Sequence, residues 1–223
     1  MGDELVGRWD FDECTGTTAG DASGFGSAGV FTGTATWSTD TPSGQGCSAR
    51  FDGNASGAVT ISDADRFSFS NNSFTVSLWM KAVDKTSIIG MLSKIGGGWE
   101  YSFYTYPSAG QICFNTWNPG GASVYPFAPV SYDTKWNQFT ISADGKNSYI
   151  YKDGSLVSTV AYSSGYVLGN TTSALRIGVG GDGSGTRYMN GFIDEVRIYN
   201  RALSSKEIRQ MYVESLSRSI AVK

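Results

Sequence analysis

The stretch from Asn190 to Ser204 reads NGFIDEVRIYNRALS and combines a strand, an acidic pair and the start of a helix. Its first ten residues alternate with period two, which is typical of a β-strand. The alternation predicts that Asp194 shares a face with Phe192, Val196 and Ile198. A carboxylate on an apolar face needs a cation or several hydrogen-bond donors, because burial disfavours its charged form.

The residues that follow this strand predict a short C-terminal helix. Ser204 to Glu207 fits a capping box, and Leu203 and Ile208 are placed to form the accompanying hydrophobic staple. Apolar residues recur with helical spacing from Ile208 onward. We therefore expect one helix that packs on a sheet.

Strand candidates separated by turn signals recur along the rest of the chain. They are Arg50–Ile61, Ser73–Lys81, Trp99–Tyr106, Gln111–Trp117, Trp136–Ser142, Ser148–Lys152, Leu156–Ala161, Leu175–Val179 and Gly191–Tyr199. Asp-Gly pairs at 144–145 and 153–154 predict hairpin turns. This pattern predicts an all-β fold, a two-sheet antiparallel sandwich with one short C-terminal helix.

Composition favours the same class and argues against several others. The 223 residues suit one large β-sandwich, and 29 glycines with only 17% charged residues suit short strands and many tight turns. A net charge of −3 with scattered basic residues argues against nucleic-acid binding. No apolar run is long enough to cross a bilayer, so membrane insertion of this domain is not expected.

The sequence offers little for catalysis. It contains no histidine, which removes imidazole bases, Ser-His-Asp triads and histidine metal sites. Asp194 and Glu195 are adjacent in a strand, so their side chains diverge and form a poor acid and base pair. Asp63 and Asp65 fit a solvated turn. We expect a protein that is not an enzyme.

Several landmarks, together with the 190–204 stretch, resemble the laminin G-like, or concanavalin A-like, jelly-roll domains of bacteria. In chain order they are Trp9–Glu13, Asp21–Gly29, Phe51–Gly53 and Phe74–Lys81. The resemblance implies a jelly-roll sandwich over residues 5–216, with terminal tails at 1–4 and 217–223. Because this family hosts lectins, adhesion modules and appendages of hydrolases, it is specific for fold and weak for ligand.

The same resemblance implies a structural calcium ion that joins the two ends of the domain. Asp194 matches the final-strand ligand best, with Asp12 and Asp21 as partners and Asp52 as a weaker fourth. Calcium takes carboxylate and carbonyl oxygens, which glycine-rich loops also provide. In the alternative interpretation, Asp21 caps its own turn, Asp194 accepts amide hydrogen bonds, and Asp52 prepares the turn at Gly53.

Three cysteines leave one unpaired if a disulfide forms. The resemblance brings the segments of Cys14 and Cys47 together and so implies a possible pairing, which the sequence leaves open. Cys113 fits a small buried residue. A disulfide would indicate an oxidising compartment.

Aromatic residues beside amides and carboxylates in the middle of the chain suggest a carbohydrate surface. Sugar rings present C–H faces to aromatic planes and hydroxyls to polar groups. The predicted ligand-binding residues are Trp99, Tyr101, Trp117, Tyr125 and Asp182. The alternative is that these aromatics fill the core, because strand aromatics commonly do so.

Taken together, these patterns predict a non-catalytic recognition domain, extracellular or on the cell surface, that forms part of a larger protein. The preferred ligand is carbohydrate, with structural calcium as the cofactor. The first alternative is a protein-adhesion or structural module whose partner is a surface protein. A glycosidase or polysaccharide lyase has less support, because no suitable cluster of acids is found.

Overall fold

The computed structural model describes residues 4–96, 99–106, 111–118, 123–124, 127–129, 132–162, 167–181 and 186–217. The first strands are β1 (Leu5–Trp9), β2 (Thr18–Ala19), β3 (Gly29–Thr32), β4 (Thr36–Ser38), β5 (Ser48–Asp52), β6 (Ala58–Ile61), β7 (Ser73–Ala82), β8 (Gly90–Ile95), β9 (Trp99–Tyr106) and β10 (Gln111–Trp117). The later strands are β11 (Ser123–Val124), β12 (Phe127–Ala128), β13 (Asn137–Asp144), β14 (Asn147–Lys152), β15 (Ser155–Ala161), β16 (Leu175–Ile177), β17 (Val179–Gly181), β18 (Thr186–Tyr188) and β19 (Asn190–Tyr199). A 3-10 turn spans Asp65–Phe67, and helix α1 spans Ser205–Ser217.

Two antiparallel sheets make up the sandwich. Sheet A has the order β15-β14-β13-β7-β19-β5-β4, and β1 also pairs with β19. Sheet B has the order β11-β10-β9-β8-β16-β6-β3-β2, and β12 also pairs with β10. The short hairpin β17–β18 forms a separate pair. The prediction of a two-sheet antiparallel jelly-roll sandwich is confirmed.

The core lies between the two sheets and is rich in aromatic side chains. Its largest fully buried members include Trp9, Phe51, Phe74, Phe103 and Phe114. Alternation explains the selection, because every second residue of each strand points inward. The opposite faces of the sheets, called here the outer faces, carry mainly polar side chains or lie beneath other segments.

Helix α1 packs on the outer face of sheet A. The predicted capping box forms, since the Ser204 amide donates to Glu207 Oε2 at 2.8 Å and the Glu207 amide donates to Ser204 Oγ at 3.4 Å. Leu203 and Ile208 pack together as the staple predicts. Farther along, the Tyr212 ring stacks on Trp79 with centroids 5.6 Å apart. No helix in the described ranges is both long and apolar enough to cross a membrane.

Glycine turns divide two of the predicted strands. Gly53, with φ of +81°, ends β5, so the predicted strand at 50–61 becomes β5 and β6 in different sheets. Gly178, with φ of +86°, likewise separates β16 from β17. These backbone conformations suit glycine because they would strain most other residues.

The prediction that Phe192 and Asp194 share a face with Val196 and Ile198 is wrong, because a β-bulge separates the two pairs. Glu195 adopts φ of +50°, and the ladder with β7 shifts register between Asp194 and Arg197. This β-bulge places Ile193, Val196 and Ile198 in the core. Asp194, expected to share a face with the last two, instead lies opposite Trp79 on the outer side of sheet A.

Cys14 and Cys47 form a disulfide, with Cα atoms 5.4 Å apart. Cys113 is buried, as predicted, and is not part of this disulfide. The disulfide joins the segment that follows β1 to the segment that precedes β5, and these two strands are the ones that share an edge of β19.

Candidate functional site

An acidic cleft opens at the point along β19 where its pairing changes from β5 to β1. β5 pairs with Asn190–Ile193, whereas β1 pairs with Val196–Tyr199, so the bulge at Asp194 and Glu195 sits at the exchange point. The acidic cleft has a volume of about 240 Å³. Its lining residues are Asp12, Pro42, Ser43, Gln45, Gly46, Asp194, Glu195 and Ser215.

Asp194 is a buried carboxylate of this cleft with a strongly raised pKa. It is only 4% exposed, and its Oδ1 accepts a hydrogen bond from the Glu195 amide at 2.8 Å. Burial, reinforced by the negative charges of Glu195, Asp12 and Asp10, raises its pKa from 3.8 to about 9. The charged form of Asp194 therefore requires a positive partner in this environment.

Asp12 reaches the same cleft from the opposite side. It follows β1, close to the disulfide, and its carboxylate lies against Gly46. Gly46 has φ of +71°, and a Cβ at that position would collide with Asp12 Oδ1. The absence of a side chain at Gly46 thus allows the Asp12 carboxylate to approach the backbone of the loop. The structure brings Asp12 and Asp194 together, as expected.

Asp21 instead caps its own loop. Its Oδ1 accepts hydrogen bonds from the amides of Arg8 at 3.0 Å and Ser23 at 2.9 Å, and its Oδ2 accepts one from the Ser27 amide at 2.8 Å. Partial burial raises the pKa of Asp21, but hydrogen bonds to Ser23, Ser27 and Arg8 outweigh burial and lower it overall. These contacts match the turn-capping alternative.

Asp52 lies at the far end of the strand pair. It is opposite Asn190, four residues before Asp194 in the same strand. Its carboxylate accepts hydrogen bonds from Thr34 Oγ1 at 2.6 Å, Asn54 N at 3.1 Å and Asn54 Nδ2 at 2.7 Å. The hydrogen bond from Thr34, followed by those from Asn54, lowers its pKa. The structure therefore gives Asp52 a turn-stabilising role away from the acidic cleft.

Side chains alone do not complete a metal site in the described ranges. No group of three or more His, Cys, Asp or Glu side chains there is arranged to hold a metal ion. A cation in the acidic cleft would need backbone carbonyl or water oxygens beside the carboxylates, and calcium accepts both.

A pair of tryptophans marks the end of sheet B where β9 begins and β10 ends. The rings of Trp99 and Trp117 are inclined at 53° with centroids 4.9 Å apart. Trp99 is partly exposed, whereas Trp117 is 8% exposed. The tryptophan pair therefore offers a limited aromatic surface, mainly through Trp99.

The prediction that Tyr101 contacts a ligand is wrong. Tyr101 is fully buried, and its hydroxyl donates to the Phe67 carbonyl at 2.9 Å. The strand alternation turns this ring into the core, so it presents no face to a ligand. Tyr125 and Asp182, the other predicted rim residues, lie outside the described residues.

A buried ion pair next to the tryptophan pair was not predicted. Lys94 and Glu100 form a salt bridge, and both side chains are fully buried. Lys94 Nζ also contacts Asp63 Oδ1 at 2.8 Å and donates to the Thr171 carbonyl at 2.7 Å. A lysine inside the apolar strand Gly90–Ile95 was the available sequence signal, since lysine is rarely buried without a partner.

Polar side chains cross the outer face of sheet B in register. Ser93 is opposite Ser102, and Ser102 is opposite Asn115. All three are fully buried, and the Asn115 amide has no hydrogen-bond partner among the described residues. Because these side chains are fully buried, and Ser102 Oγ accepts a hydrogen bond from the Gly181 amide at 2.7 Å, they lie beneath other segments and do not form a ligand-contacting surface.

Sequence comparison assigns this architecture to a family. A laminin G family model, described as the concanavalin A-like lectin/glucanases superfamily, matches residues 52–209. A comparison with curated protein sequences gave no match.

Solved structures with the same fold include toxin binding domains. The binding domain of Paraclostridial Mosquitocidal Protein 1 has a TM-score of 0.76 at 15% identity, over 94% of this chain and 52% of that one. The binding domain of botulinum neurotoxin DC, in complex with rat synaptotagmin II, has a TM-score of 0.72 at 16% identity, over 96% and 52%.

A third structure is of botulinum neurotoxin type C, a toxin whose cell entry depends on interaction with two ganglioside molecules. It has a TM-score of 0.72 at 17% identity, over 96% of this chain and 51% of that one. The chain thus spans about half the length of each of these structures. At such identities the likeness establishes the fold.

Proposed function

The chain belongs to the concanavalin A-like lectin/glucanases superfamily, and on that premise we propose that it is a non-catalytic carbohydrate-recognition domain. The observation that carries the proposal is the partly exposed ring of Trp99 in the tryptophan pair. Trp99 would stack on the C–H face of a sugar ring. The absence of histidine supports a binding rather than a hydrolytic role.

Two further observations support a setting outside the cell, as part of a larger protein. The Cys14–Cys47 disulfide suits an oxidising compartment. Structural neighbours are binding domains about twice as long as this chain, and one belongs to a toxin whose cell entry depends on gangliosides. A single sugar site of modest affinity gains strength when a larger protein presents several copies.

Replacing Trp99 with Ala is expected to weaken glycan binding by about tenfold, since it removes the exposed stacking surface. Binding is measured on a glycan array that contains neutral and acidic sugars. Phe25→Ala is the matched control, because Phe25 is an exposed aromatic in a separate loop. Equal losses in both variants, or an undiminished signal in the Trp99 variant, would argue against the tryptophan pair as the site.

Protein adhesion is the second candidate function. Strand β15 lies at the edge of sheet A, is exposed along most of its length and contains no charged residue. Such an edge is suited to pair with a strand of another protein. An array that stays silent with every glycan would favour this function over sugar binding.

A structural calcium ion is the cofactor that the family resemblance implies. The acidic cleft offers the carboxylate oxygens that calcium prefers. Asp12 and Asp194 would supply carboxylate oxygens, with the rest of the coordination coming from backbone carbonyls or water. The ion would neutralise Asp194 and hold the segments after β1 and before β5 against β19, without taking part in a reaction. The hydrogen bonds of Asp21 and Asp52 narrow the proposed side-chain ligands to Asp12 and Asp194.

Calcium is expected to stabilise the domain more at about pH 8 than at about pH 5. Without the ion, folded Asp194 keeps a proton up to about pH 9 that the unfolded chain releases near its ordinary pKa, so stability falls as the pH rises between these values. Calcium displaces that proton, and at a hundredfold excess over its Kd it adds about 2.7 kcal/mol.

Thermal unfolding in the presence of calcium or of a chelator tests whether a calcium ion binds in the acidic cleft. Asp194→Asn should remove the calcium response and the part of the pH dependence that comes from Asp194. Asp52→Asn serves as the control, because its carboxylate lies outside the acidic cleft, and it should keep both. Identical melting of the unmodified protein with calcium and with chelator at the higher pH would exclude the ion.

A further inference from the structure

A second cleft lies on the outer face of sheet A, between the β14–β15 hairpin and the segment that leads into α1. It has a volume of about 460 Å³, which is within the range of small-ligand sites. Six of its lining residues carry the argument, and we call the site the tyrosine cleft. They are Asp144, Tyr149, Tyr151, Leu156, Leu203 and Ser205.

Two tyrosines form the floor and one wall. Tyr149 and Tyr151 are two residues apart in β14, so both project from the outer face while Ile150 enters the core. Tyr151 is buried against Leu203 and Ile208, whereas Tyr149 is partly exposed. Tyr151 thus anchors the start of α1 on the sheet, and Tyr149 presents a partly exposed aromatic surface next to it.

A β-bulge places an exposed leucine on the same cleft. The β14–β15 ladder shifts register between Ile150 and Tyr151, so Leu156 rather than Val157 lies opposite Tyr151. Leu156 is 50% exposed. An uncovered leucine near a partly exposed tyrosine is an apolar strip that the anchoring of α1 does not explain.

Polar groups around this strip are held in fixed positions. Asp144 Oδ1 accepts hydrogen bonds from the amides of Lys146 at 2.9 Å and Asn147 at 2.8 Å, and its Oδ2 accepts one from the Tyr149 hydroxyl at 2.8 Å. The Tyr151 hydroxyl and Ser205 Oγ are 2.9 Å apart. These hydroxyls can reorient to donate to a ligand or accept from it, while the Asp144 carboxylate accepts.

The charge of the cleft limits its ligand. Burial raises the pKa of Asp144, but hydrogen bonds to Asn147, Lys146 and Tyr149 lower it overall, so this carboxylate is ionised near neutral pH. The residues that line the tyrosine cleft include no lysine, arginine or histidine. The Glu207 carboxylate already occupies the N-terminus of α1. Acidic sugars and phosphates would therefore meet repulsion here.

We propose that the tyrosine cleft is a carbohydrate site for a neutral sugar unit, separate from the tryptophan pair. Tyr149 and Leu156 would cover the C–H face of the ring, and Asp144 and Ser205 would bond its hydroxyls. The inference goes beyond the proposed function, because the cleft is on the other sheet and does not need Trp99. Two sites on one domain would let it engage two units of a branched or repeated glycan.

NMR titration of the whole chain tests the cleft, with cellotetraose, mannotetraose and lacto-N-tetraose as neutral probes and sialyllactose as the acidic probe. We expect at least one neutral probe, and not sialyllactose, to shift the backbone amides of Tyr149, Leu156 and Ser205. Tyr149→Ala should weaken that binding about tenfold, whereas Tyr149→Phe, which keeps the ring, should lose about threefold or less.

Two more variants separate this site from the tryptophan pair and from a folding defect. Trp99→Ala should leave the shifts at the tyrosine cleft unchanged, so the two sites can fail independently. Leu156→Ser changes an exposed residue and should weaken binding without lowering the melting temperature. The proposal is overturned if no neutral probe at millimolar concentration shifts the cleft amides, or if Tyr149→Ala leaves the affinity unchanged.

Discussion

Replacing Lys94 with Met is expected to lower the free energy of unfolding by about 3–5 kcal/mol, because removing one partner of a buried ion pair leaves the other charge buried and uncompensated. Glu100 is the charge left behind. It is fully buried, and its Oε1 would keep only the hydrogen bonds from the Thr171 amide and hydroxyl, at 2.7 and 2.8 Å. Its Oε2 already has no hydrogen-bond partner among the described residues.

A functional loss should accompany this loss of stability. Lys94 and Glu100 join β8, β9 and the Thr171 loop at the end of sheet B where the tryptophan pair lies. Gly169, whose amide donates to the Trp117 carbonyl at 2.9 Å, belongs to the same loop. We expect the Lys94 variant to lose glycan binding at Trp99 through disorder of this loop, while shifts at the tyrosine cleft persist.

Denaturant unfolding measures the effect, with Lys81→Met as the matched control. Lys81 pairs with Asp40 at 2.5 Å, but both side chains are partly exposed, so its loss should cost about 1 kcal/mol or less. A double variant, Lys94→Met with Glu100→Leu, should recover part of the stability, because it removes the stranded charge. Similar losses for Lys94→Met and Lys81→Met would show that the buried pair is not energetically special.

Removing the disulfide by Cys14→Ser with Cys47→Ser is expected to lower the free energy of unfolding by about 3–4 kcal/mol. The two residues are 33 apart in sequence. Closing a loop of that length in the unfolded chain falls between the values of about 3 kcal/mol for 15 residues and about 4.7 kcal/mol for 100. Equilibrium unfolding with urea, with and without reductant, provides the measurement.

Cys113→Ala is the control for the loss of sulfur, since this buried cysteine is not part of the disulfide and its replacement should cost about 1 kcal/mol. If the proposed calcium ion binds at the acidic cleft, the disulfide variant should bind it more weakly, because the bridge lies beside Asp12 and Gly46. If removal costs no more than the Cys113 control, the bridge does not constrain the unfolded chain as the loop length predicts.

Local sequence patterns predicted most of the fold. Alternating apolar residues marked β7, β9, β10, β13 and β14, and Asp-Gly pairs marked the hairpins, because side-chain alternation and turn conformations depend on residues close in the chain. Asp153 and Gly154 both adopt positive φ, as such a turn requires. The capping box at Ser204 and Glu207 is equally local.

The candidate sites were less accessible to sequence reasoning. The sequence left open whether the aromatic residues of the strand at 99–106 bind a ligand or fill the core, and Tyr101 proved to be in the core. Glu100, the buried partner of Lys94, lies in another strand. The tyrosine cleft depends on the bulge opposite Tyr151 and on the packing of the segment before α1 against β14. Each of these depends on contacts between segments far apart in the chain.

The sequence by itself therefore determined many of the strands, together with the hairpin turns and the helix cap, since those features follow from neighbours a few residues apart. Its ordered landmarks also indicated the family. The tertiary structure alone decided the environment of Asp194. Its face was set by a bulge at Glu195, where the pairing of β19 changes from β5 to β1. Its pKa was raised first by burial, then by the adjacent Glu195, and further by Asp12 and Asp10, which are distant in the chain. Burial and electrostatic fields depend on the whole arrangement in space, and alternation within one strand contains no information about them.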